Sequence, residues 1–143
     1  MKTKLINNEP RTRLVIFEDG DEVLNQLSLF AAHNSIGFAS LQGIGAFSSA
    51  TIGYFDFSIK DYKKIEVNEQ VEVLAITGNI SMYENKPKVH AHVLLGKADG
   101  STVGGHFLKG TVHPTLEVVL TEGNQRIERL FDDETNLPLI KLI

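Results

Sequence analysis

Residues 88–110 read KVHAHVLLGKADGSTVGGHFLKG and hold three of the chain's five histidines. From Val89 to Leu95, β-branched and apolar residues surround His90 and His92 with no helix breaker between them, the pattern of a buried strand. Side chains alternate across a strand with period two, so His90, His92 and Leu94 share one face while Val89, Ala91, Val93 and Leu95 share the other. The ADGS stretch at Ala98–Ser101 supplies a turn, and the chain then returns antiparallel with Gly104, Gly105 and His106 beside the first two histidines.

Three neutral imidazoles with an open fourth position suit zinc, nickel or iron and leave room for water or a ligand oxygen. Gly104 and Gly105, lacking side chains, let backbone come close to the ion and allow positive φ where His106 is aimed. The same residues also fit a plainer arrangement, hydrogen-bonded core histidines beside a glycine bulge. A third histidine on the return strand favours the metal site, with His90, His92 and His106 as its ligands.

The remainder of the sequence sets the frame. A chain of 143 residues with 42% hydrophobic and 22% charged residues reads as one soluble domain, 1–143, able to bury its own core. It has no cysteine, so any metal must be held by His, Asp or Glu. No apolar run reaches signal-peptide or membrane-spanning length, which gives the expectation of a cytoplasmic protein without a membrane partner. A formal net charge of −4 opposes approach to nucleic-acid phosphates. Lys2, Lys4, Arg11 and Arg13 make the N-terminus locally basic, without the interleaved aromatics of a single-strand platform.

Thr12–Glu18 reads as a first strand. A helix follows, with Asp19 and Glu22 spaced as a capping box, Val23, Leu27, Phe30, Ala31 and Asn34 at helical spacing, and Gly37 placed to stop it. His33 falls near its C-terminal end, where a cationic side chain suits the helix dipole. Residues 38–57, punctuated by glycine, read as two strands bent at Gly43, Gly45 and Gly53. The Gly43-x-Gly45 pair lacks the third glycine and the helix of a dinucleotide fingerprint. Small residues around Ala46, Ser48 and Ala50 permit close packing between subunits. Residues 60–67 suit a surface turn and an edge strand, Val71–Ile80 a central strand, and SMYENKPK a loop. Asn79-Ile80-Ser81 matches a glycosylation sequon, which means little without a secretion signal. Thr115–Thr121 and Arg126–Asp132 read as further strands, with an acidic turn and a short apolar tail at the end. Glu117 is either a strand-edge charge or a partner orienting a metal-bound histidine. His113 before Pro114 belongs in a turn and is at most a spare ligand.

Taken together, GIGAFSSATIGYFD (Gly43–Asp56), EVLAITGNI (Glu72–Ile80), HAHVLLGKADG (His90–Gly100), GGHFLKGTVHPTLEVVL (Gly104–Leu120) and IERLFDDETNLPL (Ile127–Leu139) resemble a prokaryotic PPC domain, the "plant and prokaryote conserved" domain. The likeness covers nearly the whole chain. It implies a single α+β domain with a largely antiparallel (mixed) β-sheet and one main helix near the N-terminus. It also implies a homotrimer and a metal, zinc first, held by His90, His92 and His106. In plants the domain accompanies AT-hooks, and from this comes the label of a DNA-binding, regulatory protein; no Arg-Gly-Arg-Pro hook is present in this chain.

A more distant likeness is to acetolactate decarboxylase, which holds zinc by an HxH and a later histidine. It implies an alternative, a small metal-dependent lyase or hydrolase taking a carbonyl or carboxylate ligand at the metal. No catalytic acid or base is assigned from the sequence.

Overall fold

The structure, a computed structural model, describes residues 1–142, and of residues 3–8 the backbone only. Its elements are β1 (Lys2–Asn8), β2 (Arg11–Phe17), α1 (Val23–His33), β3 (Ala39–Asp56), β4 (Asp61–Val67), β5 (Val71–Tyr83), β6 (Lys86–Gly96), β7 (Thr102–Glu122), β8 (Arg129–Asp132) and β9 (Leu137–Ile140). The α+β class, one helix near the N-terminus and a dominant antiparallel sheet are as the sequence implies. Every ladder between strands is antiparallel. Among the described residues the mixed character comes down to one isolated parallel bridge, Met82 to Glu128.

Two long strands organise the sheet. β7 is 21 residues long, and fully extended it would reach about 70 Å, roughly twice the diameter of a compact domain of this size. It has to coil. The bends fall at register shifts along its pairing with β3, between Gly45 and Phe47, Phe47 and Ser49, and Thr51 and Ile52. Coiling lets β7 pair with β2 along its second half, with β6 along its first, and with β3 along both. Since β3 also pairs with β5, and β5 with β6, the sheet closes through β3, β5, β6 and β7, which removes edges that would otherwise invite aggregation.

Inside lie Phe17, Phe47, Phe107, Ile52, Leu95 and Leu116, all essentially inaccessible. The Phe47 and Phe107 rings stack at 5.6 Å. α1 turns Val23, Leu27, Phe30 and Ala31 inward and contacts β6 and β7, so the histidine strand is backed by a packed helix on its core side.

Several local expectations change. Within residues 38–57 one strand forms, β3 (Ala39–Asp56), because the glycine bends are bulges that keep the ladder running. A Cβ on Gly43 or Gly45 would come within 2.5 Å of the Glu117 carbonyl or 2.4 Å of the Thr115 carbonyl, so these glycines serve close approach of β3 to β7. Ala46 and Ala50 are buried in the domain and only Ser48 of that trio is exposed, which takes the alanines away from any subunit contact. SMYENKPK is no loop. β5 runs on to Tyr83 and turns on Glu84 and Asn85, both at positive φ (49° and 61°), the conformation of a tight two-residue hairpin. Glu22, not Asp19, caps α1, its carboxylate accepting from the N–H groups of Leu24 and Asn25. Past the helix the left-handed residue is Ser35 (φ 54°); Gly37 instead packs against Arg126. The N-terminus adds β1, unforeseen in its polar sequence. The final strand begins at Arg129, and the tail supplies β9 to pair with it.

Candidate metal centre

Ala91, Val93 and Leu95 of β6 are buried, and His92 and Leu94 on the opposite face are exposed. The histidine face is thus the outer face of the closed sheet. His92 stands directly opposite His106 on β7, and His90 opposite Asn79 on β5. The register brings three imidazoles together as the sequence predicts, with ring centroids 5.1 to 5.5 Å apart. One ring nitrogen from each of His90, His92 and His106 lies within 4.8 Å of the other two. Zinc–nitrogen bonds of about 2.1 Å in a tetrahedron would set these atoms about 3.4 Å apart, within reach of small ring rotations. No acidic residue joins the cluster among the described residues, so the donor set is all imidazole and suits zinc or another borderline divalent ion.

Glycines fix this register. A Cβ on Gly78 would sit 2.1 Å from the His90 carbonyl, and one on Gly105 would sit 2.7 Å from the carbonyl of Gly53. Neither Gly104 nor Gly105 has positive φ, a conformation that among described glycines belongs to Gly20 and Gly100. They act by letting neighbouring strands approach, not by an unusual backbone twist.

The surroundings favour the neutral form of His90 and His106. Burial, followed by the charges of Arg129, His92 and Lys88, holds His90 below the ordinary histidine value. Burial, followed by His90 and His92, pushes His106 down to about 4. A neutral imidazole has a lone pair to give to a metal. Tyr62 of β4 stacks on His106 at 4.5 Å, and burial raises its phenol pKa.

Arg129, at the start of β8, is a neighbour that the sequence reading did not single out. Its Nη2 lies 3.3 Å from His90 Nδ1 and donates to Asn79 Oδ1 at 2.9 Å, its Nε donates to Ser81 Oγ at 2.7 Å, and its Nη1 to the Pro138 carbonyl at 2.9 Å. Asn79 and Ser81, read in the sequence as a sequon, are i and i+2 on β5 and both accept from this one guanidinium. The other candidates lie apart. His113 is within β7, not a turn, and its Nδ1 pairs with Asp19 at 2.8 Å. Glu117 is exposed beside Gln42, Ile44 and Thr77, and the charged group that contacts His90 is Arg129 instead. His33 closes α1, exposed.

Comparison with known proteins agrees with this picture. Residues 6–124 match the Plants and Prokaryotes Conserved (PCC) domain. The chain is 35% identical to the metal-containing protein AF0104 from Archaeoglobus fulgidus, covering 99% of this chain and 97% of that one with a TM-score of 0.84. It is 32% identical to a plant- and prokaryote-conserved (PPC) protein from Pyrococcus horikoshii over 99% and 96% of the two chains, with a TM-score of 0.87. A protein from Bacteroides thetaiotaomicron, named a "putative DNA binding protein", superposes with a TM-score of 0.92 at 28% identity, over 98% and 96%. Among curated proteins it is 31% identical over 106 residues to the bifunctional protein GlmU of Synechococcus sp. (strain JA-3-3Ab), covering 72% of this chain but only 16% of that one. A Staphylococcus aureus protein similar to alpha-acetolactate decarboxylase shares the fold at 11% identity, with a TM-score of 0.54 over 85% of this chain and 53% of that one. By the span of the match and the agreement of fold, this chain belongs to the Plants and Prokaryotes Conserved domain family.

Proposed function

We propose that this chain is a metal-binding protein in which His90, His92 and His106 hold one divalent ion, zinc in the first instance. The observation that carries this reading is the convergence of three ring nitrogens within 4.8 Å from two paired strands, two of the rings held below the ordinary histidine pKa. When bound, the ion supplies a Lewis-acid position for a water or ligand oxygen. Burial disfavours the protonated form of His90 and His106, and Tyr62 and Arg129 hold these two rings in place.

We further propose that the protein works as a homotrimer. Ile44, Leu74 and Leu94 stand on the outer face, each 43 to 60% exposed, and exposed apolar side chains gathered on one face mark an interaction surface. Elemental analysis of purified protein and of His90→Ala and His106→Ala tests the site; one ion per chain in wild type and none in the variants is expected, and equal content in all three would refute it. Light scattering at micromolar concentration tests the assembly, for which a monomer mass would be fatal.

A second reading, association with DNA, is favoured by the name of the Bacteroides relative. On this chain two of the four N-terminal cations are already engaged, Lys2 with Glu18 at 2.7 Å and Arg13 with Glu122 at 2.6 Å; the Lys4 side chain lies outside the described residues. The small-ligand reading therefore draws more support from the geometry than the DNA reading.

A further inference from the structure

Among the described residues Arg129 is a buried cation without an anion. It is 6% exposed, and its hydrogen-bond partners among the described residues are all uncharged: Ser81, Asn79, the Pro138 carbonyl and His90. Buried charges in folded proteins are ordinarily paired with a countercharge. No carboxylate of the described residues pairs with this guanidinium, although the chain carries 18 acidic residues. Within the described residues the guanidinium is therefore left for a ligand's negative charge to neutralise.

The direction of the His90 contact says when it comes. A metal-ligating histidine normally donates its other ring N–H to an acceptor, but a guanidinium only donates. The Arg129 bond therefore occupies the lone pair on Nδ1 and leaves the neutral ring's proton on Nε2. If His90 binds an ion through Nδ1, Arg129 loses that acceptor. Binding through Nε2 moves the proton to Nδ1, and the acceptor is lost again. Loading the site thus releases one N–H of Nη2 while Nε and Nη1 stay tied to Ser81 and Pro138, and it adds a second cation beside the first.

We propose that a small carboxylate completes the loaded site, one oxygen taking the open metal position and the other accepting from Nη2 of Arg129. This rests on the tri-histidine metal reading and adds the class of ligand. One released donor and one open coordination position match the two oxygens of a carboxylate, and a charge-assisted bond to a buried guanidinium is among the stronger hydrogen bonds. Asn79 and Ser81 are positioning residues that aim the arginine.

The experiment loads the purified protein with cobalt(II), whose visible bands report coordination number, and first records stoichiometry without added anion. Acetate and inorganic phosphate are then titrated separately. One cobalt per chain, bands that shift with acetate, and an acetate affinity at least tenfold weaker in Arg129→Gln at unchanged cobalt content are expected. Arg129→Lys keeps the charge without the planar fork, and gives the same reading through a weakened acetate response should the glutamine variant not fold. Failure of wild type to take up cobalt overturns the metal reading itself. With cobalt bound, bands indifferent to acetate, or shifted equally in wild type and both variants, overturn the carboxylate proposal alone. A response to phosphate without one to acetate also overturns it, by naming a different anion.

Discussion

The hairpin of β6 and β7 and the hairpin of β1 and β2 are both antiparallel ribbons carrying basic side chains, yet they spend them differently. On the β2 ribbon Arg13 lies over the Phe30 ring at 5.6 Å and pairs with Glu122, while Lys2 of β1 pairs with Glu18. Those cations are bound to the chain's own acids. On the β6 and β7 ribbon, three imidazoles face one another with no acid of the described residues in their cluster, and the nearby guanidinium rests on neutral oxygens and one ring nitrogen. A local excess of basic residues says little by itself; what marks a site is bonding capacity that the fold gathers together and leaves unspent.

The most severe way to break the contrast is to remove a donor from the unspent group. His106→Ala or His92→Ala should weaken divalent-ion affinity by more than about 100-fold, since even the loss of a partner behind a metal ligand costs 10- to 100-fold. Competition against a chromophoric chelator measures it, and a loss below tenfold would mean that other ligands hold the ion. Next in size is the register that aligns the donors. Gly78→Ala places a methyl 2.1 Å from the His90 carbonyl, and strands of a closed sheet cannot simply part, so about 3 kcal/mol of stability should be lost. Gly100→Ala, at φ 83° in open space, should cost only about 1–2 kcal/mol. Urea melts in which the two variants are equal would show that β5 and β6 tolerate separation.

How far the sequence discloses this site follows from chain distance. His90, His92 and His106 are visible because period-two alternation and a short turn put them on one ribbon, and a fixed register needs only local rules. Arg129 and Tyr62 are invisible for the opposite reason. They arrive from β8 and β4, 23 positions or more in the chain from the nearest of the three clustered histidines, through a closure that depends on where β3 and β7 bulge. Asn79 and Ser81 carried a usable signal, two polar residues at i and i+2 flanking the buried Ile80, but the sequon pattern they happen to match points away from it. The helix and the central strands were legible from periodicity. The turn at Glu84 and Asn85 was hidden because only Asn85 has the composition that a left-handed position favours.

A milder test uses acid. Folded His106 titrates at about 4, against an ordinary 6.5. Between those values the unfolded chain binds a proton that the folded chain refuses, so the contribution of His106 to stability is intact above about pH 6.5 and falls as pH drops toward 4, after which it is constant. Discounted for its partial exposure, the effect is on the order of 1–2 kcal/mol. Metal-free wild type should thus lose more stability from pH 7 to pH 4.5 than His106→Gln does, and parallel pH profiles would contradict the burial of the ring.

The smallest effect belongs to the spent ribbon. Duplex DNA attracts a protein chiefly through cations free to replace condensed counterions. With a net charge of −4, Lys2 bound to Glu18, and Arg13 held by Glu122 with both side chains no more than 16% exposed, few such cations remain on β1 and β2. Wild type should bind duplex DNA in the non-specific range of roughly 10⁻⁴ to 10⁻⁶ M at physiological salt. Lys2→Ala and Arg13→Ala should each change that affinity by less than about twofold, because each removes a charge whose field a neighbouring carboxylate already cancels. Fluorescence anisotropy at two salt concentrations decides it. Nanomolar binding that discriminates between sequences would show that the basic ribbon is spent only in the isolated chain, with Glu18 and Glu122 giving up their partners when phosphate arrives.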